Sequence, residues 1–426
     1  MAPQRAQLTA ADLVVLALER SPDTRATWLA AESAAASLGQ AKSALFPEIT
    51  GTVELDALKT AATAGRVSVQ QTTLGPTVTL NWLLLDFGGR SGAIDAARNA
   101  LFSADWTHNA TLSDLVRRTE QGYFSYVGAR GLLEAQRATF DQAQVNLAAA
   151  EDRRSVGVAT IADVLQARTA VAQARLALQD AEGSVASTHG ALATLVGLPP
   201  TAAFEVDTTA ANAPIMSVAI AVDTLIAQAL AARPDLAAVR ATADQLRAEA
   251  REARAQQYPT LALSGSGGTT YIANVTGGHP SYNVGISLNV PLFDGLGWQY
   301  AARAAALSAD AESARVQSLE REVALEVFQS YQELRTATER VAASNDLFTS
   351  ASANADAARG RYREGVGSLL ELLTAEQALA DARSQRIAAR VTWDSSLVQL
   401  AHDVGSLAPT GAPGLPLAPP PTGSNP

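Results

Sequence analysis

With 426 residues, a formal charge of −10 and no cysteine, the chain has no overall basic footprint for nucleic acid. Disulfides, thiolate metal sites and a cysteine nucleophile are excluded outright. Aromatics make up 5% of residues against a hydrophobic share of 47%, which argues for helices packed through small side chains rather than one large conventional core. No stretch reaches the ~18–20 unbroken apolar residues of a membrane-spanning helix, so a place in a membrane would require a closed β-barrel. Met1 to Leu8 shows neither a basic patch nor an apolar run, so no signal peptide is read there and an exported form would be a mature or trimmed one.

In chain order, the first repeat is read over 1–197. A helix of about 25 residues ends at Phe46-Pro47, where the residue before proline is pushed out of the α region. A β-hairpin follows at about 48–86, then a long helix over 88–155 that would span roughly 100 Å. A short tip, 156–160, leads into a helix over 161–196. That helix carries an unbroken three-four spacing, Val164, Ala167, Val171, Ala174, Leu178, Ala181, Val185, Thr188, Leu192, Leu195, an a/d seam whose alanines suit close packing. Gly197 stands where a helix stop is expected.

After a connecting segment at 198–224, the plan recurs over 225–407: hairpin about 260–293, long helix 297–363, tip 364–368, helix 369–404. Landmarks repeat in order. Ser21-Pro22-Asp23 matches Arg233-Pro234-Asp235, Phe46-Pro47 matches Tyr258-Pro259, and Leu84-Leu85-Asp86 matches Leu292-Phe293-Asp294. Gly157 to Leu165 matches Gly365 to Leu373. This is an internal duplication. The second seam, Leu372, Ala375, Leu379, Ala382, Arg386, Ala389, Trp393, is interrupted only by Arg386. Residues 408–426 are rich in Pro and Gly and read as a flexible tail.

The strands alternate. Val284, Ile286, Leu288, Val290 and Leu292 oppose Gly285, Ser287 and Asn289. Val78, Leu80, Trp82 and Leu84 oppose Thr77, Thr79 and Asn81, and Ile49, Gly51, Val53 and Leu55 oppose Glu48, Thr50, Thr52 and Glu54. Period two over about ten residues fits a membrane barrel with its apolar face to lipid, and equally an amphipathic strand in a soluble sheet. Aromatics near the strand ends, Trp82, Phe87, Tyr271, Tyr282, Phe293 and Trp298, favour membrane girdles. Four strands cannot close a barrel, and open edges are not tolerated in lipid. Three chains would give twelve strands, the smallest assembly leaving a conduit, since eight strands are filled by side chains.

This layout is similar to the TolC-like outer membrane efflux proteins over about residues 9–407. The resemblance is carried by Leu45-Phe46-Pro47, Val290-Pro291-Leu292-Phe293-Asp294-Gly295, and the segments ending Ala162-Asp163-Val164-Leu165 and Leu370-Glu371-Leu372-Leu373. It implies a mainly α fold with a membrane β-barrel, built as a homotrimer: a twelve-stranded barrel in the outer membrane of a Gram-negative bacterium on a coiled-coil tunnel projecting into the periplasm. It implies a periplasmic adaptor protein and an inner-membrane transporter as partners, outer-membrane lipid around the barrel, and no cofactor. The polar stretches 57–74 and 273–281 would be extracellular loops, and 198–232 with the tail a belt around the tunnel.

The tips, Gly157-Val158-Ala159-Thr160 and Gly365-Val366-Gly367-Ser368, need glycine for tight turns whatever else they do. By resemblance they also contact the adaptor. Asp163 and Glu371 sit three residues after the candidate N-caps Thr160 and Ser368, as capping-box acids would. By resemblance Glu371 belongs to an acidic ring at the closed periplasmic gate, and Asp163 accepts a latch from Tyr362. The family's second acidic gate position falls on Thr374, and a latch arginine falls on Gly367. The four histidines, His108, His189, His279 and His402, have no ligand-like spacing, and no catalytic set is found. The sequence therefore reads as a non-enzymatic exit duct for small molecules. Rival readings are the channel of a type I protein secretion system and a soluble coiled-coil scaffold.

Overall fold

The computed structural model describes residues 7–60, 68–208 and 220–407; the expected tail at 408–426 and part of the connecting segment lie outside them. The elements run α1 (Ala10–Arg20), α2 (Pro22–Ser43), β1 (Glu48–Thr60), β2 (Val69–Leu85), α3 (Gly89–Ser155) and α4 (Ile161–Leu195). The same order then recurs as α5 (Val222–Ala232), α6 (Pro234–Ala255), β3 (Thr260–Ile272), β4 (Gly278–Asn289), α7 (Gly297–Arg363) and α8 (Leu369–Asp403). The short helices α1 and α5 are not anticipated by the sequence reading. Each is followed by a cap residue, Ser21 or Arg233, that stands directly before a proline in extended backbone, the conformation that a following proline favours.

The chain divides into two units. One comprises 27–107 and 235–319 and holds a single antiparallel sheet in the order β1-β2-β3-β4. The register aligns Ile49, Leu80, Gly265 and Val284 in one row, and Gly51, Val78, Gly267 and Tyr282 in another. The opposite face carries the rows Glu48–Asn81–Ser264–Gly285, Thr50–Thr79–Ser266–Asn283 and Thr52–Thr77–Gly268–Ser281. One face is thus apolar and the other polar and small. On the apolar face Val53, Leu55, Val284 and Ile286 are 73%, 72%, 73% and 69% exposed, so nothing among the described residues covers it.

Two details differ from the sequence reading. Pairing continues into the expected loops, with β1 reaching Thr60, β2 starting at Val69 and β4 at Gly278. Ladder hydrogen bonds do not require apolar side chains, and the threonines there suit extended backbone. A bulge between Leu83 and Leu85 sets Leu85 opposite Leu261, so Leu85 takes the place in the apolar row that simple alternation gives to Leu84. Arg90 serves the carbonyls beside this bulge, donating to Leu83 O at 2.5 Å and Leu84 O at 3.1 Å. Asp86 and Asp294 start the long helices alike: each Oδ2 accepts a backbone N–H, from Arg90 at 2.5 Å and from Trp298 at 2.6 Å.

The other unit takes in 1–26, 108–234 and 320–426; its described parts are mainly helical, with a parallel bridge between Leu8 and Val206. Val164, Ala167, Ala174, Ala181 and Leu192 of the α4 seam are buried. In α8, Leu372, Ala375, Leu379, Ala382, Ala389 and Trp393 are buried. Arg386 keeps the second seam closed by laying its guanidinium over the Phe348 ring, 3.8 Å from the centroid. A second cluster gathers Leu13, Ala17, Leu115, Tyr123 and Leu192, and the Tyr123 hydroxyl donates to Asp207 O at 2.7 Å. Among the described residues no helix is long and apolar enough to cross a membrane.

Candidate functional site

Both tips are built from the same local parts. At the end of α3 the Val158 N–H donates to Arg153 O (2.9 Å) and the Gly157 N–H to Arg154 O (3.0 Å). At the end of α7 the Val366 N–H donates to Arg361 O (3.0 Å) and the Gly365 N–H to Tyr362 O (3.1 Å). This is the Schellman pattern, which needs a left-handed residue after the cap; Gly157 and Gly365 supply it with φ of 79° and 81°. Gly367, on which a latch arginine falls in the resemblance, sits so close that an added Cβ would meet Arg361 Cβ at 3.0 Å. A side chain there would press on the last turn of α7, which accounts for the glycine.

The returning helices start differently from each other. Thr160 and Asp163 form a full capping box: the Thr160 N–H and hydroxyl donate to Asp163 Oδ2 at 2.7 and 2.8 Å, and the Asp163 N–H donates to Thr160 Oγ1 at 3.2 Å. The backbone hydrogen bond from Thr160, then its hydroxyl, hold the Asp163 carboxyl below its ordinary range. In the second tip the Glu371 N–H donates to Ser368 Oγ at 3.2 Å, but the Glu371 carboxylate turns to the Arg361 guanidinium instead of back to the cap. Half the box is made, and the acid is neutralised by an arginine of its own hairpin. Thr374 lies one turn on, its hydroxyl donating to Leu370 O at 2.8 Å.

Tyr362 is buried in a cluster with Ala150, Val164, Ala358, Leu369 and Leu372. Its hydroxyl has no hydrogen-bond partner, and Asp163 is engaged with Thr160, so the expected Tyr362–Asp163 hydrogen bond is not made in this structure. Burial raises the phenol's pKa, the Arg153 charge opposes this, and the Asp163 charge adds to it. Arg153, which sequence reasoning passed over, is the group that engages Tyr362. Its Nη2 donates to Tyr362 O and, at 3.1 Å, to Arg363 O, and the guanidinium carbon lies 4.1 Å from the ring centroid. The available signal was an arginine doublet, Arg153-Arg154, in the last turn of α3.

Ion pairs also fasten each hairpin just behind its tip. Glu151 of α3 meets Arg168 of α4 at 2.8 Å, and Arg359 of α7 meets Glu376 of α8 in two contacts, 2.5 and 2.7 Å. The positions correspond: Glu151 and Arg359 both stand six residues before the tip glycine, Arg168 and Glu376 both eleven after it. The charges are exchanged between the repeats. Hydrogen bonding to Glu376 raises the Arg359 pKa.

At the tips' surfaces, Val156, Val158, Val366 and Leu370 are exposed. Ala159 and Gly367 are half-buried between them. Of the six aromatics read as a membrane girdle, Trp82 lies near one end of the sheet and donates from Nε1 to Leu45 O at 3.0 Å. Phe87, just beyond β2, has its ring centroid 5.9 Å from that of Tyr258. Tyr271 pairs with Leu74 and Gly278 toward the other end. Phe293 is exposed after β4, and Trp298 opens α7. Tyr282 departs from the expectation: it stands within β4, opposite Gly267, because that strand begins four residues earlier, at Gly278.

The family of outer membrane efflux proteins matches residues 13–198 and 225–406. The chain is 27% identical over 383 residues to the protein CyaE of Bordetella pertussis, covering 88% of this chain and 79% of that protein. It is 27% identical to the pyoverdine export outer membrane protein OpmQ of Pseudomonas putida, covering 75% and 68%. The solved outer-membrane channel OprN superposes with a TM-score of 0.84 at 22% identity, covering 93% of this chain and 90% of that one.

Proposed function

Since this chain belongs to the outer membrane efflux protein family, and is an outer-membrane exit duct rather than an enzyme, we propose that three identical copies form the duct and pass small molecules to the outside. The periplasmic adaptor and inner-membrane transporter are its partners. One observation carries the trimer. The four-stranded sheet leaves β1 and β4 without outer partners among the described residues, beside an uncovered apolar face. Lipid cannot satisfy a free strand edge, whereas strands from further copies can. The polar face, lined by Thr, Ser, Asn and Gly with the carboxylates of β1, suits a water-filled interior.

The tips supply the periplasmic end. Asp163, Tyr362, Glu371 and Thr374 form the gate, and the exposed residues of Gly157–Thr160 and Gly365–Ser368 meet the adaptor. Their small, apolar surface suits tip-to-tip docking. The relative named for pyoverdine export favours small molecules as cargo. The aromatics Trp82, Phe87, Phe293 and Trp298 toward one end of the sheet and Tyr271 toward the other suit the two membrane interfaces.

Native mass spectrometry of the detergent-extracted protein tests this reading. It predicts three times the 44.2 kDa chain mass and discrete conductance steps when the same particles enter a planar bilayer. A monomer that stays in plain buffer without detergent, and conducts nothing, would refute it.

A further inference from the structure

Arg153 and Arg361 are equivalent in the two repeats, each four residues before its tip glycine and each giving its carbonyl to the Schellman turn. Their side chains do different things. Arg361 pairs with Glu371 inside its own hairpin. Arg153 leaves its hairpin and grips the end of α7, donating to Tyr362 O and Arg363 O while stacking on the Tyr362 ring. The last carbonyls of a helix lack intrahelical partners and carry the negative end of its dipole. One guanidinium nitrogen therefore serves both carbonyls and brings positive charge to them, and the group's flat face adds a cation–π contact. The Tyr362 hydroxyl makes no hydrogen bond, and Asp163 is committed to its own cap.

We propose that Arg153 is the positioning residue that pins the second hairpin's tip to the first within each protomer, and that the tunnel mouth widens when this pin lets go. The proposal rests on the reading of these tips as a gate. The pin acts through the backbone and ring of Tyr362, not through its hydroxyl, so it separates cleanly from a tyrosine–aspartate latch. Lysine at 153 would keep the charge but lose the flat face that stacks on the Tyr362 ring.

Single-channel conductance in planar bilayers tests the pin, on trimers whose mass matches the parent and whose thermal midpoint is measured alongside. Arg153→Ala should raise the resting conductance severalfold, Arg153→Lys should fall between it and the parent, and Tyr362→Phe, which keeps the ring and the backbone carbonyl, should open the channel less than Arg153→Ala. A merely structural arginine would lower the midpoint without opening the channel. Parental conductance in Arg153→Ala overturns the pin, as does Tyr362→Phe opening as far as Arg153→Ala. If Arg153→Ala fails to assemble, Arg153→Lys decides alone: parental conductance there overturns the proposal, and a rise supports it. A parent that forms no channel overturns the gate reading itself, and the pin with it.

Discussion

Asp163 and Glu371 occupy equivalent places, each three residues after its cap, yet their carboxylates are used differently. Asp163 closes a capping box, and Glu371 reaches Arg361. The shorter aspartate returns to its cap, while the glutamate extends to the guanidinium of the preceding helix's last turn. The consequence is a difference in acid response. A carboxyl held below its ordinary pKa in the folded chain contributes stability that is present above the unfolded value of about 3.9 and is lost as pH falls through the folded one. Hydrogen exchange at the first tip should therefore rise below about pH 4, and Asp163→Asn should flatten that dependence. Thr160→Ala should cost about 1 kcal/mol at neutral pH. Exchange at 157–166 that ignores pH and Asp163→Asn alike would show that the cap is not holding the turn.

At the scale of elements, the duplicated landmarks made most of the fold legible. The long helices read at 88–155 and 297–363 compare with Gly89–Ser155 and Gly297–Arg363, because Asp86 and Asp294 mark their starts and glycines follow their ends. What was not legible depended on pairing. The bulge at Leu83–Leu85 leaves no trace in an alternating sequence, and strands that continue through Thr, Gln and Gly look like loops. In the candidate site, spacing located the caps and the acids. It could not tell which partner each acid takes, nor that Arg153 crosses between hairpins, since both are decided by side-chain reach in the packed state.

The exchanged ion pairs also belong to this scale. Glu151–Arg168 and Arg359–Glu376 have opposite polarity at matching positions, so wrongly joining α3 with α8, or α7 with α4, would set like charges together. Each hairpin is thereby marked for its own partner, a form of specificity against mispaired repeats. The two pairs should differ in strength. Side chains of the first pair are 59% and 44% exposed, those of the second 25% and 15%. Glu151→Gln should cost under about 1 kcal/mol. Glu376→Gln should cost about 1–3 kcal/mol, because it takes a charged two-point acceptor from a half-buried guanidinium and leaves it Asp356 as its carboxylate partner. Thermal unfolding of the two variants in detergent makes the comparison, and equal costs would remove the distinction.

For the whole molecule, the account turns on a sheet that one chain cannot finish. The apolar face has the character of a surface meant for lipid, but β1 and β4 end in free ladder groups that lipid cannot serve. The chain's lack of cysteine makes the direct measurement clean. Val53→Cys in β1 is combined with cysteines stepped through β4 at Tyr282, Val284 and Ile286, and the oxidised protein is run on denaturing gels. The account predicts that at least one pairing gives a covalent ladder ending at three chains. A ladder running past three, or bands confined to single chains at every position, would contradict it.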